Sequence, residues 1–243
     1  MAQKKVNAVI HSQEKLAEGI YSMWLDAPEM AKAAVPGQFI AVYTNDQSKL
    51  LPRPISICEA DKENGRLRIV YRIAGAGTKE FSAYEEGDTL DIMGPLGNGF
   101  PLKKKKAFLI GGGIGIPPML ELAKNLDCEK TAVIGYRDKE TFLADELRKY
   151  ADVVIATEDG SVGTKGNVID AIRAEKLTAD IIYACGPTPM LKALKTYAME
   201  NGIECYISLE EKMACGIGAC LGCVCHSKDI DEHSNVRNKR ICK

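Results

Sequence analysis

The sequence has 243 residues with 32 basic and 33 acidic side chains, so its formal net charge at pH 7 is -1. Hydrophobic residues make up 46% and charged residues 27%, which is ordinary for folded domains and excludes a disordered chain or a disulfide-stapled miniprotein. The balanced charge argues against nucleic acid as a partner, because domains that bind nucleic acid are usually clearly basic.

The first 100 residues have the pattern of an antiparallel β-barrel. Short alternating or aromatic-rich runs are separated by turn residues such as Pro36-Gly37 and Asn64-Gly65. About six strands at this spacing favour a closed or nearly closed barrel. We also expect one short helix at Lys79–Tyr84. The predicted strands are Val6–His11, Ile20–Leu25, Phe39–Tyr43, Ile55–Glu59, Leu67–Ile73 and Thr89–Met93.

Residues 101–209 alternate between apolar runs and segments of helical period, after a lysine run at Lys103–Lys106 that is typical of a solvated linker. Five strands with four intervening helices predict a doubly wound, five-stranded parallel sheet. Gly202 stands where a helix-terminating glycine is expected. The predicted strands are Ala107–Gly111, Thr131–Tyr136, Val153–Thr157, Ile181–Cys185 and Glu204–Ser208. The predicted helices are Pro118–Leu126, Glu140–Tyr150, Asn167–Lys176 and Thr188–Asn201.

Residues 210–243 are too few for a hydrophobic core of their own, and they hold five of the nine cysteines. Cys215, Cys220 and Cys223 follow the C-x4-C-x2-C spacing of plant-type [2Fe–2S] centres, and Cys242 supplies a distant fourth thiol. Glycines within the loop allow the unusual backbone angles that wrapping a cluster requires. A structural zinc site is the alternative, but it usually has two C-x2-C pairs, whereas only one is present here.

The remaining cysteines have weaker signals. Cys225 is either a spare ligand or a packed thiol, and strand geometry favours packing, since Cys223 and Cys225 would reach one iron only if the chain kinked. Cys58, Cys128 and Cys205 lie in or beside predicted elements and are interpreted as small buried hydrophobic residues.

Two motifs in the barrel indicate an anion site. Prolines on both sides of Arg53 favour an extended backbone from which the guanidinium reaches a pyrophosphate, and Ser56 presents a hydroxyl nearby. The glycines of the segment Arg72–Thr78 precede a short helix, where free N–H groups bind anions. Each motif alone is as typical of a loop as of a site.

Two strand-to-helix turns in the second zone predict a dinucleotide site. The glycines of the first, Gly111, Gly113 and Gly115, lie where the phosphates belong, although Pro118 replaces the last glycine of the usual motif. The second, which begins at Cys185-Gly186-Pro187, follows another strand at the same edge of the sheet. A purely structural turn remains an even alternative for each. Glu158, after the third strand, is predicted to accept a ribose hydroxyl and to favour NADH, although Arg137 is a competing phosphate partner.

Together these motifs resemble the ferredoxin–NADP reductase superfamily over the first two zones. The matching segments are Arg53-Pro54-x-Ser56, Gly75-x-Gly77-Thr78, Gly111–Gly115 and Cys185-Gly186-Pro187. The tail segment Leu209–Cys225 is similar to that of the electron-transfer subunits of the dihydroorotate dehydrogenase B family. The interval between Cys223 and Cys242 is longer than the family leads us to expect, and the chain stops at Lys243, where relatives continue.

This resemblance implies three domains: an FAD-binding barrel (1–100), a nicotinamide-binding α/β domain (101–209) and a [2Fe–2S] segment (210–243). It implies an oxidoreductase subunit of pyrimidine biosynthesis that takes electrons from a partner FMN subunit through the cluster and FAD to NAD. The implied assembly is a heterotetramer with two copies of each subunit. By the same resemblance, Ser56 lies near the reactive nitrogen of the flavin and Cys185 near the nicotinamide. The implied FAD-binding residues are Arg53, Pro54, Ile55, Ser56, Val70, Tyr71, Arg72, Gly77 and Thr78.

Two rival functions remain. One is the small subunit of an electron-bifurcating NADH–ferredoxin:NADP oxidoreductase or of a sulfide dehydrogenase, which shares this layout. The presence of four candidate cysteines weighs against the bifurcating subunit, in which one of the four is commonly an aspartate. The other rival is a zinc-binding adaptor without redox function.

The sequence carries no targeting or membrane signal that we recognise. No stretch approaches the roughly 20 apolar residues that span a bilayer, and Met1–Gln13 lacks the apolar core of a signal peptide. We therefore expect a cytoplasmic protein without membrane contact.

Overall fold

The N-terminal part of the computed structural model, which describes residues 4–46, 48–232 and 234–243, is a closed antiparallel barrel. Residues 1–3, which the predicted first domain includes, lie outside the described residues. The strands are β1 (Lys4–Ala17), β2 (Ile20–Asp26), β3 (Phe39–Val42), β4 (Arg53–Asp61), β5 (Arg66–Arg72) and β6 (Thr89–Leu96), in the order β1-β2-β5-β4-β3-β6. The predicted barrel is confirmed.

Alternation explains why these residues form a barrel. Along β6, every second residue from Leu90 to Leu96 is buried while the alternate residues are more exposed, which places one face of the strand in the barrel core. Two short helices, α1 (Pro28–Ala33) and α2 (Ala76–Phe81), accompany the strands. The predicted position of the second, Lys79–Tyr84, was wrong by three residues. The Thr78 hydroxyl accepts the N–H groups of Ala74 and Gly75, so the helix begins within the glycine turn.

A six-stranded parallel sheet follows, with the order β10-β9-β8-β7-β11-β12. Its strands are β7 (Ala107–Gly112), β8 (Lys130–Tyr136), β9 (Asp152–Thr157), β10 (Thr164–Lys165), β11 (Ile181–Cys185) and β12 (Glu204–Ser208). The doubly wound parallel sheet is confirmed, but it has one strand more than the five predicted. β10 has only two residues at the edge of the sheet, which is too short to leave a recognisable pattern.

The helices of this part are α3 (Pro117–Asn125), α4 (Ala144–Leu147), α5 (Val168–Ala174) and α6 (Thr188–Asn201). The helix predicted at Glu140–Tyr150 shrinks to a single turn because Leu143 has a left-handed backbone, with φ of 64°. The bounds of α6 are confirmed, and Gly202 ends it in the left-handed conformation at φ 65°. Asn167 caps α5 by accepting the N–H groups of Ile169 and Asp170.

The barrel and the sheet share packing and buried polar contacts. Cys58 and Val70 of the barrel belong to the same buried cluster as the residues of α3 and β7. Glu121 on α3, only 2% exposed, accepts the N–H of Ala60 on β4 at 3.0 Å. Arg68 on β5 pairs with Glu146 on α4. These contacts hold the carboxyl edge of the sheet beside the barrel.

The last segment is mostly irregular. Its only strands among the described residues form a hairpin of β13 (Val224–His226) and β14 (Asn238–Arg240). A small buried cluster of Met213, Cys223 and Cys242 packs against Phe39 of the barrel. No helix within the described ranges is both long and apolar enough to cross a membrane.

Candidate redox site

A cavity of about 900 Å³ lies where the barrel, the end of the sheet and the tail meet. This volume is at the upper end of those typical of ligand pockets. Eight of the nine residues predicted to bind FAD line it; they are Arg53, Pro54, Ile55, Ser56, Val70, Tyr71, Arg72 and Thr78. The ninth, Gly77, touches Arg53. One cavity therefore joins two motifs that are separate in the sequence.

Arg53 and Gly77 form the anion-binding corner of this cavity. Nη1 of Arg53 donates to the carbonyl of Leu51 at 2.5 Å, which helps to hold the guanidinium in place. A Cβ on Gly77 would lie 2.0 Å from Nε of Arg53. A side chain at this position would therefore displace the guanidinium from the first turn of α2.

Ser56 and Tyr71 face the cavity in different ways. Ser56 is half-buried on β4, opposite Phe39 of β3. The Tyr71 ring is buried and stacks on Tyr21 with centroids 5.9 Å apart, and its hydroxyl donates to Gln13 at 2.8 Å. Burial raises the pKa of Tyr71, so this hydroxyl stays protonated. The Tyr71 ring therefore packs in the barrel core behind the cavity wall, whereas Ser56 offers a ligand its hydroxyl.

The predicted dinucleotide turns meet each other at the edge of the sheet and lie almost entirely outside this cavity. Gly111 and Cys185 are partners in the β7–β11 ladder. A Cβ on Gly115 would lie 2.2 Å from the Cys185 carbonyl oxygen, so Gly115 is needed for packing. Gly113 adopts a left-handed φ of 53° with open space around it. Of this turn, only Ile114 belongs to the cavity wall.

Cys185 is 1% exposed and lies behind the cavity wall. Burial raises the pKa of its thiol to about 12, so the thiol is neutral at physiological pH. Its ladder partner Ser208 does line the cavity, as does Glu210. Desolvation in the wall raises the pKa of Glu210, and Arg72 opposes that rise.

Glu158 lies away from the cavity, directly after β9. Its N–H donates to the carbonyl of Tyr136 at 3.1 Å, and the N–H of Asp159 donates to the carbonyl of Arg137 at 3.2 Å. The Asp159 carboxylate accepts the N–H and hydroxyl of Ser161, whose hydrogen bonds lower its pKa. The Asp159 carboxylate therefore stabilises its own turn through these hydrogen bonds. The Glu158 carboxylate has no hydrogen-bond or ion-pair partner among the described residues.

The four predicted cluster cysteines form two pairs. Sγ of Cys223 and Sγ of Cys242 are 3.2 Å apart in the buried interior. Sγ of Cys215 accepts the N–H of Cys220 at 3.4 Å. Further backbone donors face the sulfurs: the N–H of Gly218 lies 3.2 Å from Sγ of Cys242, and that of Gly222 lies 3.5 Å from Sγ of Cys220. Such donors stabilise thiolates, which are the form that binds metal.

The two pairs differ in their ease of ionisation. Burial would raise the pKa of Cys215, but hydrogen bonds from backbone N–H groups, led by that of Cys220, outweigh it and lower the pKa to about 6. Burial and the neighbouring Cys223 raise the pKa of Cys242 to about 12. Gly216 and Gly218 give the loop its shape through left-handed φ values of 67° and 77°.

This arrangement fits a two-iron cluster better than a single zinc ion. A structural zinc ion needs four ligands that converge on one point. Two cysteine pairs, each with its own backbone donors, match a [2Fe–2S] cluster, in which four thiolates are shared between two irons.

Cys225 is separate from these pairs. It is half-buried on β13, opposite Lys239 of β14, and it lines the large cavity. Of the other cysteines, Cys58 is fully buried as expected, whereas Cys128 and Cys205 are only partly buried.

Sequence patterns missed much of the cavity wall. The run from Tyr206 to Met213 and the hairpin residues Lys239 to Ile241 line it, so the tail closes the barrel's site. The positive charges of Lys239 and Arg240, next to the predicted ligand Cys242, were the one sequence feature that could have indicated that these residues take part in the site. Nothing in the spacing of the tail indicates that it folds back on the barrel.

Comparisons with known proteins agree with this geometry. Residues 210–243 match the family described as "Iron-sulfur cluster binding domain of dihydroorotate dehydrogenase B", and residues 7–100 match "Oxidoreductase FAD-binding domain". The chain is 41% identical over 251 residues to "Dihydroorotate dehydrogenase B (NAD(+)), electron transfer subunit" of Geobacillus sp. (strain WCH70), covering 100% of this chain and 95% of that protein. It is 44% identical to the protein of the same name from Streptococcus mutans, covering 96% and 93% of the two chains.

Solved structures show the same architecture. A structure of an NADH-dependent reduced ferredoxin-NADP oxidoreductase, described in work on flavin-based electron bifurcation, superposes with a TM-score of 0.87 at 31% identity, covering 97% of this chain and 85% of that one. A ferredoxin NADP+ reductase from Neisseria gonorrhoeae with bound FAD and NADP superposes at 0.70 with 17% identity, covering 85% and 99%. The second likeness establishes the fold alone.

Proposed function

This chain belongs to the family of dihydroorotate dehydrogenase B electron transfer subunits, and on that premise we propose how its residues divide the work. The observation that carries the proposal is the shared wall: the tail that holds the four paired cysteines also closes the cavity of the FAD-binding barrel. We assign residues 1–100 to FAD, 101–209 to the nicotinamide dinucleotide and 210–243 to the [2Fe–2S] cluster.

The bound groups supply the redox chemistry, because a flavin exchanges a hydride with a nicotinamide and single electrons with an iron–sulfur cluster. The protein supplies position and charge. Arg53 binds the flavin's phosphate with its guanidinium, which lies against Gly77 in the first turn of α2. Ser56 donates or accepts a hydrogen bond near the flavin's reactive nitrogen. The carbons of Ile55 and Val70 exclude water from the cavity wall.

The four thiolates of Cys215, Cys220, Cys223 and Cys242 hold the cluster. The two observed pairs suggest that Cys215 and Cys220 share one iron, whereas Cys223 and Cys242 share the other. At the edge of the sheet, the turn containing Gly113 binds the dinucleotide phosphates. Cys185 packs behind the nicotinamide as a neutral thiol.

We expect NADH to be preferred over NADPH. The carboxylate of Glu158 is exposed beside the end of β9, where it accepts ribose hydroxyls and repels a 2′-phosphate. Glu158→Gln should therefore reduce the ratio of the two kcat/KM values by roughly fivefold, since an exposed charge contributes about 1 kcal/mol at most. Glu200→Gln, an exposed carboxylate near the end of α6, serves as the matched control. A wild-type enzyme with the higher efficiency for NADPH would reverse the assignment.

An electron transfer subunit requires a catalytic partner, and we place its docking face around the cluster loop. Large apolar side chains are exposed there: Ile217, Leu221 and Val224 near the cysteines, and Ile230 and Val236 on the loop of the hairpin. Contiguous exposed apolar side chains are typical of protein interfaces. We propose that the FMN-containing subunit docks on this face in a heterotetramer of two copies of each subunit, so that the cluster lies between the two flavins.

Leu221→Glu tests this face. A charge at the centre of an apolar interface should weaken the complex at least tenfold, as expected for loss of a central contact. The NADH–dye activity of the isolated subunit should stay unchanged. Met199→Glu places the same charge on the exposed surface of α6 and should have no effect on assembly. Equal affinities for the two variants would show that the partner docks elsewhere.

The geometry and the relatives disfavour the rival functions. The bifurcating enzyme shares the fold at 31% identity, but the curated relatives at 41% and 44% are electron transfer subunits of dihydroorotate dehydrogenase B. A zinc adaptor would have no use for a 900 Å³ cavity beside its metal.

The visible spectrum of the purified protein tests the proposed function. We expect the yellow bands of a flavin and the reddish absorption of a [2Fe–2S] cluster, together with electron transfer from NADH to an artificial dye. A colourless zinc-containing protein would support the adaptor and contradict the proposal. A coloured protein that cannot transfer electrons from NADH to the dye would also contradict the proposal.

A further inference from the structure

Arg240 is a buried cation whose role the cofactor assignments leave unexplained. It is the last residue of β14, two positions before Cys242, and it is 7% exposed. Nη1 donates to the carbonyl of Gly218, and Nη2 donates to Asp231 at 2.8 Å. Nε is buried without a hydrogen-bond partner among the described residues, the only such side-chain atom in that part of the chain.

The Gly218 contact connects Arg240 to the cysteine cage. The N–H of Gly218 donates to Sγ of Cys242 while its carbonyl accepts from Arg240. One peptide segment is therefore held between a ligand sulfur and the guanidinium. This fixes the loop of the first three cysteines against the strand that leads to the fourth.

Asp231 balances the buried charge. Its side chain is 13% exposed, and its second oxygen accepts the N–H and hydroxyl of Ser234 at 3.0 and 2.9 Å. Burial would raise the pKa of Asp231, but the bonds to Ser234 and Arg240 lower it, so the carboxylate is ionised. Both residues of this ion pair lie in the long interval between Cys223 and Cys242, so that interval supplies a contact beside the cysteine loop.

We propose that Arg240 is a positioning residue of the iron–sulfur site and that its ion pair with Asp231 sets the reduction potential of the cluster. This inference rests on the proposed function. One-electron reduction adds a negative charge to the cluster, so an unbalanced cation nearby favours the reduced form and an unbalanced anion disfavours it. Charges and hydrogen bonds around cluster sulfurs are recognised determinants of potential. The intact pair holds the potential between these two extremes.

Two single substitutions should therefore shift the potential in opposite directions. Asp231→Asn leaves the guanidinium unbalanced and raises the midpoint potential, whereas Arg240→Met leaves the carboxylate unbalanced and lowers it. We expect each shift to correspond to about a tenfold change in the reduction equilibrium, or about 59 mV for one electron. Loss of packing alone has no reason to give opposite signs.

The test is a potentiometric titration of the reduced cluster's electron paramagnetic resonance signal in the complete chain. Asp229→Asn and Arg237→Met are matched controls, since both side chains are exposed and change the net charge equally; their potentials should equal the wild-type value. If Arg240→Met fails to retain its cluster, the Asp231→Asn shift decides alone. If the wild-type cluster is normal but the potentials of the Asp231 and Arg240 variants are unchanged, or shift with the same sign, this inference alone is overturned. A wild-type protein that assembles no [2Fe–2S] cluster would overturn the proposed function as well.

Discussion

Replacing Cys242 with serine will abolish the wild-type [2Fe–2S] signal, whereas replacing Cys225 with serine will leave it intact. Sγ of Cys242 lies 3.2 Å from Sγ of Cys223 in the buried interior and accepts the N–H of Gly218. Cys225 instead lies on the hairpin and faces the large cavity. A serine at position 242 would give a poor iron ligand in a site built for thiolates.

The measurement is electron paramagnetic resonance of both variants after reduction, together with their iron content. The Cys225 variant is the matched control, because it makes the same atomic change in the same C-terminal segment. A lost signal in the Cys225 variant beside an unchanged signal in the Cys242 variant would show that the ligand assignment is wrong.

Arg53→Ala is expected to release FAD. Hydrogen bonds to charged groups contribute about 1.5–3 kcal/mol, so the loss of the guanidinium–phosphate pair should weaken FAD binding roughly tenfold to hundredfold. Gly77→Ala should weaken binding in the same direction, because its methyl group would lie 2.0 Å from Nε of Arg53. The flavin that remains bound after extensive dialysis measures both effects.

Arg66→Ala provides the control for this prediction. Arg66 lies on β5 of the same barrel and pairs with Asp26 at 3.1 Å, outside the cavity wall. Its substitution should leave FAD occupancy at the wild-type level. If the Arg53 variant retains its flavin equally well, Arg53 does not hold the phosphate.

The barrel and the parallel sheet were predictable because their strands repeat simple patterns. Alternation along strands such as β6, and fully apolar runs such as β11, follow directly from which faces are buried. The spacing of Cys215, Cys220 and Cys223 was equally informative, since few other sites require it.

The features that could not be predicted from the sequence depend on local backbone conformation or on contacts between distant segments. The Leu143 backbone shortens a helix that the periodicity extends, and β10 is too short to have a period. The approach of the tail to the flavin cavity, and the burial of Arg240 against Asp231, arise from tertiary packing. Neither feature produces a recognisable pattern in the spacing of residues along the chain.

The most direct test of the whole account is an anaerobic assay of dihydroorotate-dependent NADH formation. It compares the isolated chain, loaded with FAD and the cluster, with the FMN-containing catalytic subunit alone and with a mixture of the two. We predict that the isolated chain transfers electrons from NADH to a dye but leaves dihydroorotate untouched, and that only the mixture forms NADH from dihydroorotate and NAD+. Turnover of dihydroorotate by this chain alone, or a mixture no more active than its parts, would contradict its role as the electron transfer subunit.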